Sequence, residues 1–277
     1  MNSINCNGKL LNLDEPVVMG IINATPDSFY EGHLNMPTTD VLVLAAKMIA
    51  DGAAIIDIGG LSTRPGSKPV SVQEETDRVL PVIELIHADY PQIILSIDTY
   101  NSAVAKAAVH AGAGIINDIS GGNLDLDMIP TTASLGVTYI CMHMKGTPAT
   151  MQQEAIYENV VSEVLDFFIA KVDACHKAGI KDVIIDPGFG FAKTIEHNLQ
   201  LLKALAVLKI TGNSILAGLS RKNTIYKTLG ITAADALNGT TVLNTMALMN
   251  GASILRVHDV KEASEAIKLF NAYKKAP

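Results

Sequence analysis

The chain has no tryptophan, only three cysteines, and aromatic residues at 5% of its 277 positions. With so few rings, its core has to be built from aliphatic side chains. Cys6, Cys141 and Cys175 are odd in number and far apart, which speaks against a disulfide framework or a CxxC metal clip. Small thiols in a reducing compartment are expected instead. Charged residues are also scarce, at 18% against 48% hydrophobic, a balance that excludes a disordered chain. Acidic residues outnumber basic ones by 28 to 21, giving a net charge of −7. That argues against a nucleic-acid or anionic-membrane binder but leaves room for one local anion pocket. No apolar run reaches the ~18 residues of a membrane span, and the first residues lack the basic and apolar blocks of a signal peptide. HExxH, GxSxG and Walker-type motifs are absent as well. A cytoplasmic globular protein is expected.

What is present is a repeating pattern. Short β-branched runs fall at 17–22, 54–58, 93–97, 114–118, 137–142, 183–186, 214–218 and 253–257. Almost none alternates apolar with polar, as expected of parallel strands buried on both faces. Segments with helical spacing lie between them, at 40–51, 72–88, 102–111, 126–135, 157–178, 195–208, 233–250 and 261–273. Eight strand–helix units in about 250 residues are the arithmetic of a (β/α)8 TIM barrel. A doubly wound sheet is the alternative, although no linker or composition break divides the chain. The sequence therefore reads as one domain over 1–277, with a short N-terminal hairpin turning at Asn7-Gly8 and capping the barrel bottom.

In such a barrel the chemistry sits where strands end, and polar residues gather there. Asn23, Asp57, Asp98, Asn117 and Asp186 close or nearly close strand segments, and Ser220, Lys222, Arg256 and His258 follow in the last two. A lone strand-end Asp serves about as often to cap a helix or pair with a lysine. Three polar groups (Asp98, Asn117 and Asp186) on different strands favour a site, and an amino-pyrimidine edge would satisfy such carboxylates. Arg64, Lys222, Arg256 and His258 form a candidate anion site, with an Arg256 salt bridge to Asp57 or Asp259 as the lesser reading. Asn23 would add an oxygen ligand to Mg2+ on a bound diphosphate. Cys141-Met142-His143 supplies too few ligands for a metal. The remaining histidines (His33, His87, His110, His176 and His197) are expected to be solvated.

These stretches, taken in order, resemble the dihydropteroate synthases. The matching segments are MGIINATPDSF at 19–29, GGLSTRPG at 59–66, SIDT at 96–99, INDISG at 116–121, MHMKGTP at 142–148, DPGFGF at 186–191, SRK at 220–222 and LRVHD at 255–259. The resemblance implies a homodimeric, cytoplasmic folate-pathway enzyme, a sulfonamide target, in which Mg2+ assists. It would join 6-hydroxymethyl-7,8-dihydropterin diphosphate to p-aminobenzoate by early departure of diphosphate. It further implies catalytic roles for Asp98, Lys222, Arg256 and Arg64. The pterin would meet Asp98, Asn117, Met142, Asp186, Lys222 and Arg256, and the diphosphate Asn23, Arg64, Arg256 and His258, with Asn23 reaching it through the metal. The p-aminobenzoate slot would be lined by Thr63, Pro65, Phe191, Ser220 and Lys222. Leu61 stands where the family commonly has Glu, Tyr30-Glu31-Gly32-His33 where loop 1 usually ends in small, Gly-rich residues, and Asn223-Thr224 where bulkier residues are common. A pterin-binding methyltransferase domain and a catalytically dead pterin-binding paralogue are the alternatives.

Overall fold

The computed structural model describes residues 3–24, 38–61 and 70–277. A two-stranded antiparallel hairpin of β1 (Ser3–Cys6) and β2 (Lys9–Asn12) leads into eight parallel strands. These are β3 (Val17–Asn23), β4 (Ala53–Gly59), β5 (Ile94–Asp98), β6 (Ile115–Asp118), β7 (Thr138–Met142), β8 (Val183–Asp186), β9 (Ser214–Ala217) and β10 (Ile254–Val257). They close into a barrel in the order β10-β3-β4-β5-β6-β7-β8-β9. Each lies within two residues of its sequence-predicted position.

The surrounding helices are α1 (Thr38–Ala50), α2 (Val72–Asp89), α3 (Ser102–His110), α4 (Met128–Leu135), α5 (Val160–Ala178), α6 (Ile195–Lys203), α7 (Asn223–Leu229), α8 (Leu237–Met249) and α9 (Val260–Lys275). Three helix expectations need correction. The 195–208 segment breaks at Ala204 into α6 and a 3-10 turn over Leu205–Thr211. The segments at 157–178 and 233–250 start late, at Val160 and Leu237. The seven-residue α7 is too short to announce itself by period.

Side chains alternate faces along a strand, so each strand feeds two cores. The outward residues pack under the helices in one large cluster that includes Ile22, Ile56, Ile58, Leu95, Ile97, Ile116, Tyr139, Ile185 and Leu255. The inward residues Met19, Ile55, Ile94, Ile115, Ile140, Ile184, Leu216 and Ile254 form a layer inside the barrel near its lower end. At roughly 1.5–3 kcal/mol for each fully buried side chain, this layer is a main source of barrel stability. Ile4, Cys6, Leu11 and Leu13 of the hairpin segment pack beneath it, as expected of a bottom cap. Asn7 and Gly8 both have positive φ, +54° and +84°, the geometry of a tight primed turn. The hairpin is also stitched down by hydrogen bonds. Asn5 N–H donates to Asp182 Oδ2 (2.9 Å), Thr138 Oγ1 to the Asn5 carbonyl (2.9 Å) and Lys9 Nζ to the Ile93 carbonyl (2.9 Å).

One strand-end carboxylate is structural. Asp118 is fully buried and accepts from Ser120 N and Oγ (both 2.8 Å), Gly122 N (2.7 Å) and Tyr139 Oη (2.7 Å). Tyr139→Phe removes one of four donors and is expected to cost about 1.5–3 kcal/mol of stability, measured by urea unfolding. Turnover at 25 °C should be unchanged.

Candidate active site

Two residues beyond the inward apolar layer, the same strand faces turn polar. Ile55 is followed on its face by Asp57, Ile115 by Asn117, Ile140 by Met142, Ile184 by Asp186 and Ile254 by Arg256. Asp98 stands four residues beyond Ile94. The alternation that builds the core thus delivers these side chains to the barrel mouth, and strand register sets Asp98 opposite Asn117 and Met142 opposite Asp186.

Arg256 is the hub. Its Nε donates to Asp57 Oδ2 and an Nη to Asp98 Oδ2, both at 2.6 Å. Asn117 Nδ2 donates to the same Asp57 oxygen at 3.0 Å. The lesser reading of Arg256, an ion pair with Asp57, is therefore what the free site contains, and Asp98 joins it. Asp57 is fully buried, yet its Oδ1 has no hydrogen-bond partner among the described residues. A buried carboxylate oxygen without a donor is costly, so it suits a ligand that brings N–H groups. Burial pushes the Asp98 carboxyl up to about 7, with Arg256 working against the rise and Asp57, Asp118 and Asp186 adding to it.

Asp186 is buried, accepts from Gly188 N at 2.8 Å, and is pushed above the usual carboxylate range by its burial, against Lys222. Lys222 donates to the Phe189 carbonyl and lies 4.9 Å above the Phe191 ring. Burial lowers its pKa to about 8, with Asp186 as the main opposing charge. Met142 belongs to a small apolar patch with Ile119, Met144, Met151 and Ala192, edged by Tyr100 and Phe191. At the other side of the mouth, Ser220 Oγ lies 3.0 Å from His258 Nδ1 and accepts from His258 N–H at 3.2 Å. Ser220 therefore touches the residue expected at the diphosphate. Asn23, the last residue of β3, is half-buried near this rim.

Thr63, Arg64 and Pro65 lie outside the described residues, as do residues 25–29 of the 19–29 stretch and His33. Two other histidines depart from the solvated expectation. His87 is half-buried with its Nδ1 unpartnered among the described residues, and His197 closes a capping box with Thr194 at the start of α6. The site also contains Lys193, which strand-end reasoning passes over. Asp57 and His143 are expected at the rim, Asp57 only as a lesser partner for Arg256, and the spacing of Asp57 from Ile55 marks its inward face.

Among the described residues, no group of three or more His, Cys, Asp or Glu side chains is placed to hold a metal. Mg2+ does not need one. It keeps several waters and commonly takes one or two protein oxygens plus phosphate oxygens. The Asn23 side-chain oxygen fits that role beside a bound diphosphate.

Residues 19–258 match the family model described as pterin binding enzyme. The dihydropteroate synthase of Escherichia coli K12 is 41% identical over 267 residues, covering 96% of this chain and 94% of that one. The folic acid synthesis protein fol1 of Schizosaccharomyces pombe is 43% identical over 279 residues, 98% of this chain but 38% of its own length. A crystal structure of Yersinia pestis dihydropteroate synthase with a sulfonamide drug superposes with a TM-score of 0.94 at 39% identity, covering 99% of this chain and all of that one. With near-complete coverage in sequence and fold, this chain belongs to the pterin binding enzyme family, among its dihydropteroate synthases.

Proposed function

We infer that the chain joins 6-hydroxymethyl-7,8-dihydropterin diphosphate to p-aminobenzoate, giving 7,8-dihydropteroate and diphosphate. The observation that carries this reading is the mouth itself, where Asp57, Asp98, Asn117 and Asp186 face Arg256 and Lys222. A pterin edge offers N–H donors to carboxylates, and a diphosphate needs cations. The methyltransferase and inactive-paralogue alternatives have no observation in their favour.

In this reading Asp186 and Asn117 hold the amino-pyrimidine edge, and Met142 lines the pterin pocket. Arg256, kept in place by Asp57 and Asp98, covers the ring, and its positive charge faces the departing diphosphate together with Arg64 and His258. Mg2+, held by Asn23 and the diphosphate, would supply further charge to the leaving group. The methylene C–O bond breaks first. Asp98 then offsets the positive charge on the pterin until the aminobenzoate nitrogen forms the new C–N bond and gives up a proton to water. An arylamine is neutral and nucleophilic at pH 7, so no strong general base is required. Thr63, Pro65, Phe191, Ser220 and Lys222 would line the aminobenzoate slot.

The direct test mixes protein, pterin diphosphate, p-aminobenzoate and Mg2+ and follows diphosphate release. Sustained release over many turnovers should require both organic substrates, stop with EDTA and return with Mg2+. Equal sustained release without p-aminobenzoate, or none with all three, would refute the reading.

The ionisations predict a bell-shaped pH profile for kcat/KM. Asp98 must be ionised, which fails as pH falls below about 7, and Lys222 must be protonated, which fails above about 8. The maximum should therefore lie between those values. A flat profile from pH 6 to 9 would remove both groups from the essential set.

A homodimer belongs to the same proposal. Val242, Met246 and Met249 form an exposed stripe on α8, close in sequence to exposed Leu229 and Ile231, and light scattering reads the mass directly. No helix among the described residues is long and apolar enough to cross a membrane. The three cysteines are free and buried, which suits a reducing, cytoplasmic setting.

A further inference from the structure

One fully buried lysine has no part in the chemistry above. Lys193 is 2% exposed, and its Nζ is surrounded by four acceptors. These are His143 Nδ1 at 2.9 Å and the carbonyls of Phe191 (3.0 Å), Gly188 (3.2 Å) and His143 (3.3 Å). An ammonium has three donors and no acceptor, so this set suits the charged form, with His143 as the neutral Nε2–H tautomer. His143 itself is held neutral, its pKa pushed down to about 2 by burial and then by Lys193. Burial pushes the lysine pKa down to about 7, against the opposing charge of nearby Asp186.

The four bonds join two different strand-end loops. His143 follows β7, whereas Gly188 and Phe191 belong to the loop after β8. The two backbones touch: a Cβ on Gly188 would lie 2.1 Å from the His143 carbonyl oxygen. Ala192, immediately before the lysine, holds a left-handed φ of +47°, a conformation that a non-glycine residue keeps only when its surroundings impose it. The loop so fastened supplies two contacts of the Lys222 ammonium, the Phe189 carbonyl and the Phe191 ring.

We propose that Lys193 is a positioning residue, a buried clamp that fixes the 187–193 loop so that Phe189 and Phe191 hold Lys222 in its working place beside Asp186. The proposal rests on the synthase reading. It adds a group that touches no substrate and acts through the placement of Lys222 and of the aminobenzoate wall.

Lys193→Met keeps the length and apolar stem of the side chain but removes every donor, while Lys193→Gln keeps two. Misplacement by about 1 Å at a reacting centre can cost about 100-fold. In protein verified as folded by circular dichroism, Lys193→Met should therefore lose about 100-fold in kcat and show a raised KM for p-aminobenzoate. Lys193→Gln should recover part of both. Values for Lys193→Met within twofold of wild type, with only a lower melting temperature, would reduce Lys193 to a structural role and overturn the proposal. Should neither variant fold, wild-type protein labelled with 15N-lysine decides. A slowly exchanging ammonium resonance that shifts when p-aminobenzoate joins the pterin complex supports the clamp. Absence of such a resonance, or one indifferent to both ligands, overturns it. If wild type shows no diphosphate release in the same assay, the synthase reading has failed, and protection of the ammonium resonance in the ligand-free protein alone then decides the clamp, its absence overturning it.

Discussion

Arg256→Ala is expected to lower kcat/KM by about 10³-fold, the upper range for removing one preorganised electrostatic group from a reacting centre. Two losses combine. The leaving diphosphate forfeits a cation, and Asp57 and Asp98 forfeit the guanidinium that each contacts at 2.6 Å. Arg256 is the main charge holding the Asp98 pKa down against burial. Without it, Asp98 should titrate above about 7 and be largely protonated at neutral pH. The acid limb of the pH profile should then move to higher pH, a signature that simple loss of phosphate affinity would not produce. Breaking a buried ion pair by removing one partner typically costs about 3–5 kcal/mol, so the variant should also unfold at lower urea. Steady-state kinetics across pH, run in urea-free buffer on verified folded protein, separates the effects. Activity within tenfold of wild type would sink the assignment of Arg256.

Asp186→Asn is expected to lower kcat/KM for the pterin substrate by about 100-fold or more, with the fold intact. The amide keeps an oxygen to accept the Gly188 N–H, a bond of 2.8 Å in the wild type. What disappears is the charge that receives pterin N–H donors, where hydrogen bonds to an ionised group contribute about 1.5–3 kcal/mol each. A second consequence follows from Lys222. Asp186 is the largest opposing influence on its burial-lowered pKa of about 8. With an amide in its place, Lys222 should lose its proton at lower pH, and the alkaline limb should shift downwards. Calorimetric titration with the pterin, alongside the pH–rate profile, tests both. Unchanged pterin affinity would show that the pterin binds elsewhere.

The barrel is legible in the sequence because its strands are buried on both faces. A short continuous run such as Ile-Ile-Leu-Ser-Ile at 93–97, bounded by Pro91 and Asp98, suits a sheet covered on each side. The identities of the mouth residues are legible for a related reason: a polar group ending an apolar run has nowhere to point but the rim. Their partners are only partly so. Along the chain Arg256 reads first as part of an anion site, with Asp57 a lesser partner and Asp98 none, because the two carboxylates lie 199 and 158 positions away. Only barrel closure, which sets β10 beside β3 and β3 beside β4, brings them together. Lys193 is hidden differently. It follows a glycine-rich loop and precedes a helix, where a lysine is ordinarily solvated, and nothing local signals a pocket formed by carbonyls from two loops. The break after Ala204 leaves no mark, because the apolar spacing of 195–208 continues through the 3-10 turn. Asp118 shows the opposite hazard, since it shares the strand-end position of the site residues but spends its acceptors on Tyr139 and the adjacent turn.

The hairpin beneath the barrel has a consequence for traffic. With the inward layer filling the barrel and Ile4, Leu11 and Leu13 packed beneath it, the lower end is closed by apolar packing. In the proposed function, substrates and products would therefore share the mouth, diphosphate and the longer pterin–benzoate product included. A pterin held against Asp186 would have to arrive before p-aminobenzoate covers it, and departing products would compete with the next pterin for the same approach.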